Sequence, residues 1–279
     1  RFYIFMKFIV TADTQLGLYS KFSEINDDSL DLRWNSERFK KFNFKNIKPT
    51  SSLNFEVNNF IKLTQELHDT QYEFVTILGD LINDYNSDFQ YDKFQEIICS
   101  NIDNTNLHLI PGNHDMNEPP DKSSLEIYRT RFGEDYYIKN YCDLRFVFLN
   151  STLLRNNSLL KNEYQKQDNI IKTALKNYSS DLFIFMHHSL FYEDVNEELN
   201  PWNIDKYTRL NLIKKLSQHN GKVYLFSGHL HKNRIVKYKN ITNITVSSVG
   251  VPLGEDPPGY YVVEYAKNIL NYNFISIGD

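Results

Sequence analysis

Residues 109–115 read Leu-Ile-Pro-Gly-Asn-His-Asp, and their parsing decides the fold. A short apolar run at 107–110 has the length and density of a buried strand and is stopped by Pro111-Gly112. Three side chains able to ligate a metal, move a proton or hydrogen-bond, Asn113, His114 and Asp115, follow at once. In open α/β sheets the edge just past the C-terminal ends of the strands is where sites are built. The same arrangement recurs four times on either side of this stretch. Asp13 and Gln15 follow residues 8–12, and Asp80 follows Thr76-Ile77-Leu78-Gly79. His187 and His188 follow Phe183-Ile184-Phe185-Met186, while His229 and His231 follow Leu225-Phe226-Ser227-Gly228. Five strand ends are therefore expected to converge on one edge.

Singly, each block has a plain structural explanation. An Asp after a strand and a glycine often only turns the chain or caps a helix. A lone His after an apolar run is more often a satisfied interior residue, and His68, His108 and His219 are read that way. The pair His229-Leu230-His231 is stronger, because residues two apart on extended backbone point to the same side and can each offer a ring nitrogen to a metal. Glycines 79, 112 and 228 are expected to let the chain turn sharply at the strand ends.

The remaining pattern supports an α/β chain, with strands expected at residues 5–12, 74–78, 107–110, 145–149, 182–185 and 223–227. Helices are expected at 53–68, capped by Ser51 or Ser52, and at 89–99, 163–175 and 207–219. After Gly228 the pattern changes to strands alone, at 234–238, 242–246, 260–265 and 269–277, which suggests a final β-meander. Residues 19–50 and 192–206 read as long polar loops. A chain of 279 residues with 41% hydrophobic content can bury a continuous core, and one domain over 1–279 is expected.

Composition narrows the function classes. A net charge of −4 and a pI near 6.1 provide no broad cationic surface for a nucleic-acid backbone. No uncharged apolar stretch approaches the ~20 residues of a membrane span. Two cysteines, Cys99 and Cys142, and an opening without a signal-peptide pattern favour a cytoplasmic location. The five Asn-x-Ser/Thr sequons, at Asn150, Asn156, Asn177, Asn240 and Asn243, are what an Asn-rich composition produces by chance.

Asp-x-Gln, Gly-Asp, Gly-Asn-His-Asp, a later His and Gly-His-x-His, in that order, resemble the signature of the calcineurin-like metallophosphoesterases. The stretches ADTQLGL, GDLIND, PGNHDM, LNSTLL, MHHSLF, SGHLH and SSVGVPLGEDPPG, with the strand entry Asp135-Tyr136-Tyr137, resemble a serine/threonine phosphatase branch of that superfamily over almost the whole chain. Thr14 stands where the branch has Pro, and Met186-His187-His188-Ser189 stands where it has a Gln-His-Ile-Pro-like run, so His187 matches the ligand and His188 is its neighbour.

The resemblance implies a four-layer αββα sandwich of two mixed β-sheets flanked by helices. It also implies two metal ions, one held by Asp13, Gln15, Asp80 and His231 and the other by Asp80, Asn113, His187 and His229, with Asp80 bridging. Such ions, ~3.5–4 Å apart, polarise the phosphoryl oxygens and deliver a metal-bridging hydroxide in line with the scissile bond. Mn or Fe is favoured, with Zn or Mg also compatible with mixed oxygen and imidazole ligands. His114 is expected to serve the leaving oxygen, oriented by Asp115, and Asn113 and His114 to touch the phosphoryl group. Gln15 replaces the His most of the superfamily has, and an amide oxygen is a weaker ligand. The 192–206 loop is expected to cover the centre and, through Trp202 and Asn203, to contact the substrate. Its acidic residues would favour phosphopeptides carrying basic residues over nucleotides. The substrate reading is a phosphorylated protein or small phosphoester. The alternatives are a nucleotide phosphodiesterase or pyrophosphatase, since surrounding loops set the substrate, and a scaffold that binds metal with weak catalysis.

Overall fold

The strands of this chain alternate between two apolar faces, and that period of two builds a pair of stacked sheets. In the computed structural model residues 5–18, 55–68, 70–102, 106–253 and 255–277 are described. The elements run β1 (Phe5–Thr11), α1 (Phe55–His68), β2 (Phe74–Leu78), α2 (Asp88–Asn101), β3 (Leu107–Ile110), α3 (Lys122–Phe132), β4 (Tyr137–Tyr141) and β5 (Leu144–Phe148). They continue with α4 (Ser151–Arg155), α5 (Lys161–Leu175), β6 (Leu182–Phe185), α6 (Lys206–Ser217), β7 (Val223–Ser227), β8 (Arg234–Tyr238), β9 (Ile241–Thr245), β10 (Gly259–Ala266) and β11 (Ile269–Ser276). The expected N-cap of α1 and the long 19–50 loop lie outside the described residues.

One sheet has the order β11-β10-β1-β2-β3 and the other β4-β5-β6-β7-β9-β8. Both are mixed: the first is antiparallel from β11 to β1 and parallel from β1 to β3, and the second is parallel from β5 to β9 with antiparallel β4 and β8 at its two margins. On β1, Phe8 and Val10 point into the layer between the sheets while Ile9 points to the outer layer under α1 and α2. On β6, Phe183 and Phe185 face inward and Leu182 and Ile184 face the outer layer with α5 and α6. The result is the expected αββα sandwich.

The inner layer is built around a cluster of phenylalanines. Phe8 is fully buried, stacks on Phe74 with ring centres 4.9 Å apart, and meets Phe146, Phe183, Phe185 and Phe226 edge-on. Removing this ring leaves a cavity that rigid sheets on both sides cannot close. Phe8→Ala is therefore expected to destabilise the protein by about 3–5 kcal/mol, read as a lower urea midpoint at unchanged slope. A loss below ~1 kcal/mol would mean the layer repacks.

Three expectations change. The four C-terminal strands form two hairpins rather than one meander: β8–β9 extends the second sheet, whereas β10–β11 crosses to the first, where β10 pairs with β1. Helix α3 and strand β4, both largely polar, escaped the apolar pattern. The Asp121–Ser124 capping box marks the start of α3 and is the local signal for it. His68 is exposed at the end of α1 rather than interior, while His108 lies between the Tyr137 and Tyr141 hydroxyls and His219 meets the Ser180 carbonyl. Among the described residues no helix is long and apolar enough to cross a membrane.

Candidate metal centre

All five sequence blocks meet at one edge of the sandwich, three from the ends of β1, β2 and β3 and two from the ends of β6 and β7. The meeting demands unusual backbone. Asp13, Gln15, Asp80, His229 and His231 all have positive φ, between 40° and 67°. Left-handed backbone at a non-glycine residue costs of order 1–3 kcal/mol and persists where the surroundings over-determine it, as at functional sites. His229 and His231 are thus not on extended backbone, and they serve opposite sides of the site. Gly79 shares this conformation, with φ 79°. Gly112 does not, and is needed for close approach, since a Cβ there would lie 2.1 Å from Asp80 Oδ1.

The side chains form two groups. Ligand atoms of Asp13, Asp80 and His231 lie within 4.8 Å of one another, and so do those of His187, His188 and His229. Asp80 joins them, because its Oδ2 is also 3.3 Å from His187 Nε2. A test of fit comes from the ring nitrogens. His187 Nδ1 meets the Leu78 carbonyl at 2.7 Å, His231 Nδ1 the Val251 carbonyl at 2.6 Å, and His229 Nε2 the Pro201 carbonyl at 2.8 Å. A carbonyl only accepts, so each of those nitrogens carries a proton and the other is the one turned to the centre, where a metal ion can displace any proton and take the lone pair. Around His187 Nε2 stand Asn113 Oδ1 at 3.2 Å, His229 Nδ1 at 3.1 Å and Asp80 Oδ2, all acceptors, which suits a cation better than a single proton. Gln15 fits as well. Its Nε2 donates to Asn83 Oδ1, leaving buried Oε1 without a hydrogen-bond partner among the described residues. Such an orphan oxygen is costly unless something electropositive meets it. The residues present fit a pair of metal ions.

The electrostatics agree. Burial alone would raise the Asp80 carboxyl, but His187, His114 and His229 hold it well below the usual carboxylate range. Burial works against charge on His187, yet Asp80 and Asp13 raise it to about 9. His231 is likewise raised by Asp13 against its burial. His188 and His229 are pushed well below the ordinary histidine value, by burial first and then by neighbouring histidines, so both are neutral near pH 7.

Two expected roles move to other residues. Asp115 does not orient His114: its Oδ1 accepts from the Leu81 and Ile82 amides and its Oδ2 from the Gly112 amide, stapling the two loops together. Burial and nearby Asp80 push its carboxyl up to about 7, against the pull of the Gly112 and Ile82 amides. The His114 ring is held instead by the Asn83 carbonyl, 2.8 Å from Nδ1, while its backbone amide donates to Asp80 Oδ1. The 192–206 loop does lie on the centre, through Pro201 and through the Trp202 indole, whose ring centre is 5.6 Å from that of His229. Asn203 is not available to a substrate. It is fully buried, and its side chain is spent on Glu197 Oε1, the Glu198 carbonyl and the Asn200 amide.

The loop's acidity is also largely internal. Glu197 accepts the Tyr192, Glu193 and Asp194 amides, Glu198 pairs with Lys206, and Glu193 with Arg234. With these carboxylates already partnered, loop charge gives no preference for basic phosphopeptides. Two arginines that carry no motif in the sequence hold this loop. Fully buried Arg209 of α6 donates to the carbonyls of Val195 (3.0 Å), Ile204 (3.1 Å) and Glu197. Arg155 of α4 donates to those of Asn200 (3.0 Å) and Asn203.

Comparison with known proteins points the same way. A family model described as calcineurin-like phosphoesterase matches residues 6–233. The serine/threonine-protein phosphatase CPPED1 of Homo sapiens is 26% identical over 281 aligned residues, covering 98% of this chain and 84% of that protein. Among solved structures, a dimetal phosphatase from Danio rerio superposes with a TM-score of 0.60 at 14% identity, covering 98% of this chain and 99% of its own. A purple acid phosphatase from yellow lupin (Lupinus luteus) seeds gives 0.65 at 15% identity, covering 99% of this chain and 52% of its own. With a family match that runs from β1 through β7 and takes in every strand-end block, the chain belongs to the calcineurin-like phosphoesterase family, and its enzyme class is that of a metal-dependent phosphatase.

Proposed function

We propose that this protein is a two-metal phosphomonoesterase acting on phosphoserine and phosphothreonine in proteins. The observation that carries the metal reading is the shared tethering of His187, His229 and His231, each tied by one ring nitrogen to a backbone carbonyl and turned by the other into the centre. The substrate class is supported by the printed activity of relatives similar over 98% of this chain. Asp13, Gln15, Asp80 and His231 would hold one ion, and Asp80, Asn113, His187 and His229 the other, with Mn or Fe favoured. When bound, such a pair supplies Lewis-acid polarisation of the phosphoryl oxygens and a lowered pKa for water.

The chain's own residues do the rest. Asn113, with Oδ1 turned to the centre, keeps its amide hydrogens for a phosphoryl oxygen. His114 fixes Asp80 through its backbone amide. With Nδ1 donating to Asn83, the proton His114 hands to the leaving oxygen is the one at Nε2. Pro201 and Trp202 wall the His229 side and exclude water from it.

The test compares phosphoserine, phosphothreonine and phosphotyrosine peptides with an aryl phosphodiester, all with added Mn. The serine and threonine peptides are expected to turn over faster than the diester by about tenfold or more, equivalent to roughly 1.4 kcal/mol of transition-state discrimination. A diester hydrolysed faster than every monoester would overturn the substrate class.

A further inference from the structure

His188 is the one histidine at the centre to which the resemblance gives no role, and its environment is unusual. It is fully buried, and its Nε2 has no hydrogen-bond partner among the described residues. Its ring lies 4.4 Å from that of His229 and 5.0 Å from that of His187, centre to centre. A ring nitrogen of His188 falls within 4.8 Å of one from each of those two. Its other nitrogen, Nδ1, is 2.9 Å from Ser151 Oγ, and the same oxygen accepts the His188 backbone amide at 2.8 Å. Nδ1 is thereby tied to an oxygen, as one ring nitrogen is in each of the other three histidines. A hydroxyl oxygen has two acceptor sites, so it can take both the His188 backbone N–H and a proton on Nδ1, which leaves the Nε2 lone pair facing the centre.

Resting on the two-metal reading, we propose that His188 is a further metal ligand, through Nε2, on the His187–His229 side, and that Ser151 sets its tautomer. The centre is then asymmetric. One position is rich in oxygen, with Asp13, Gln15 and Asp80 beside a single imidazole. The other gathers three imidazoles, with Asn113 and Asp80. Imidazole-rich sites suit Zn or Fe, whereas oxygen-rich sites suit Mn or Mg, so the two positions prefer different ions. The orphaned, inaccessible Nε2 also argues for an ion over a substrate atom, since a phosphoryl group would need an open path to it.

Full-length protein stripped of metal would be titrated with Zn by equilibrium dialysis and with Co(II) by visible absorption, in wild type, His188→Ala, His188→Asn and Ser151→Ala. Wild type is expected to bind two ions. Both His188 variants are expected to weaken one of them by about 100-fold and to change the cobalt spectrum, leaving the other within about twofold. Ser151→Ala, which keeps the ligand and frees its tautomer, is expected to weaken the same position by about tenfold, the low end for an outer-shell partner. Circular dichroism shows whether each variant is folded, and a folded His188→Asn suffices if His188→Ala does not fold. If wild type binds no second ion, the two-metal reading itself fails. If wild type binds two and a folded His188 variant binds both with unchanged affinity and spectrum, only the present inference fails, whatever happens to phosphatase activity.

Discussion

Replacing Asp80 by Asn is expected to lower kcat/KM by about 10³-fold, equivalent to roughly 4 kcal/mol of transition-state stabilisation. Asp80 reaches both ligand groups, clustered with Asp13 and His231 on one side and with Oδ2 3.3 Å from the centre-facing His187 Nε2 on the other. Its Oδ1 is positioned by the His114 amide. Asparagine has nearly the same shape, so the fold and the loop geometry should survive. It lacks the charge and offers one acceptor oxygen in place of two, so a single substitution weakens both metal positions at once. The measurements are steady-state kinetics and metal content after dialysis. A variant that keeps two ions and turns over within tenfold of wild type would show that Asp80 does not bridge.

The second large effect is expected at Arg209, far from the chemistry. Its guanidinium is fully buried and holds three backbone carbonyls of the 192–206 loop. Arg209→Met fills similar volume but leaves those carbonyls without their charged donor. A destabilisation of about 3–5 kcal/mol is expected, because unpaired buried acceptors lose their partners without regaining water. The same loop presents the Pro201 carbonyl that fixes the His229 tautomer. Activity of the folded variant is therefore expected to fall about 10–100-fold, as for other outer-shell partners of metal ligands. Arg155 grips Asn200 and Asn203 independently, so the loop stays attached and the kinetic loss is smaller than at Asp80. Arg209→Lys should recover little, since an ammonium cannot reproduce the planar fork. Urea denaturation and kinetics on the same preparations decide it, and wild-type stability in Arg209→Met would remove this residue from the account of the loop.

Much of the architecture was legible in the sequence, and the reason is local. Strands β2, β3, β6 and β7 were bounded to the residue because each is a short, mostly apolar run of aromatic and branched side chains that ends at or just before a glycine, proline or polar residue. Helix α3 was not legible in the apolar pattern, and strand β4 was marked only by its Asp135-Tyr136-Tyr137 entry, because α3 buries only Ser124, Leu125 and Tyr128 and β4 is a partly exposed strand at the sheet margin. The assignment of the last two hairpins to different sheets was also hidden. It depends on β10 pairing with β1, a contact between opposite ends of the chain that no local pattern encodes.

At the site, the sequence by itself determined which side chains are gathered, since metal and phosphate chemistry demands particular residue types, and Asp, Asn and His at strand ends announce themselves. Only the tertiary structure decided what each of them does there. The groups that aim the histidines are mostly backbone carbonyls, of Leu78, Asn83, Pro201 and Val251, and a carbonyl belongs to every residue alike. Nothing in residue identity could show that Asp115 staples backbone amides, that Asn203 is consumed inside its own loop, or that Gln15 turns its oxygen inward. Those outcomes depend on distances between loops brought together by two sheets stacked across a layer of phenylalanine, and they exist only once that layer has formed.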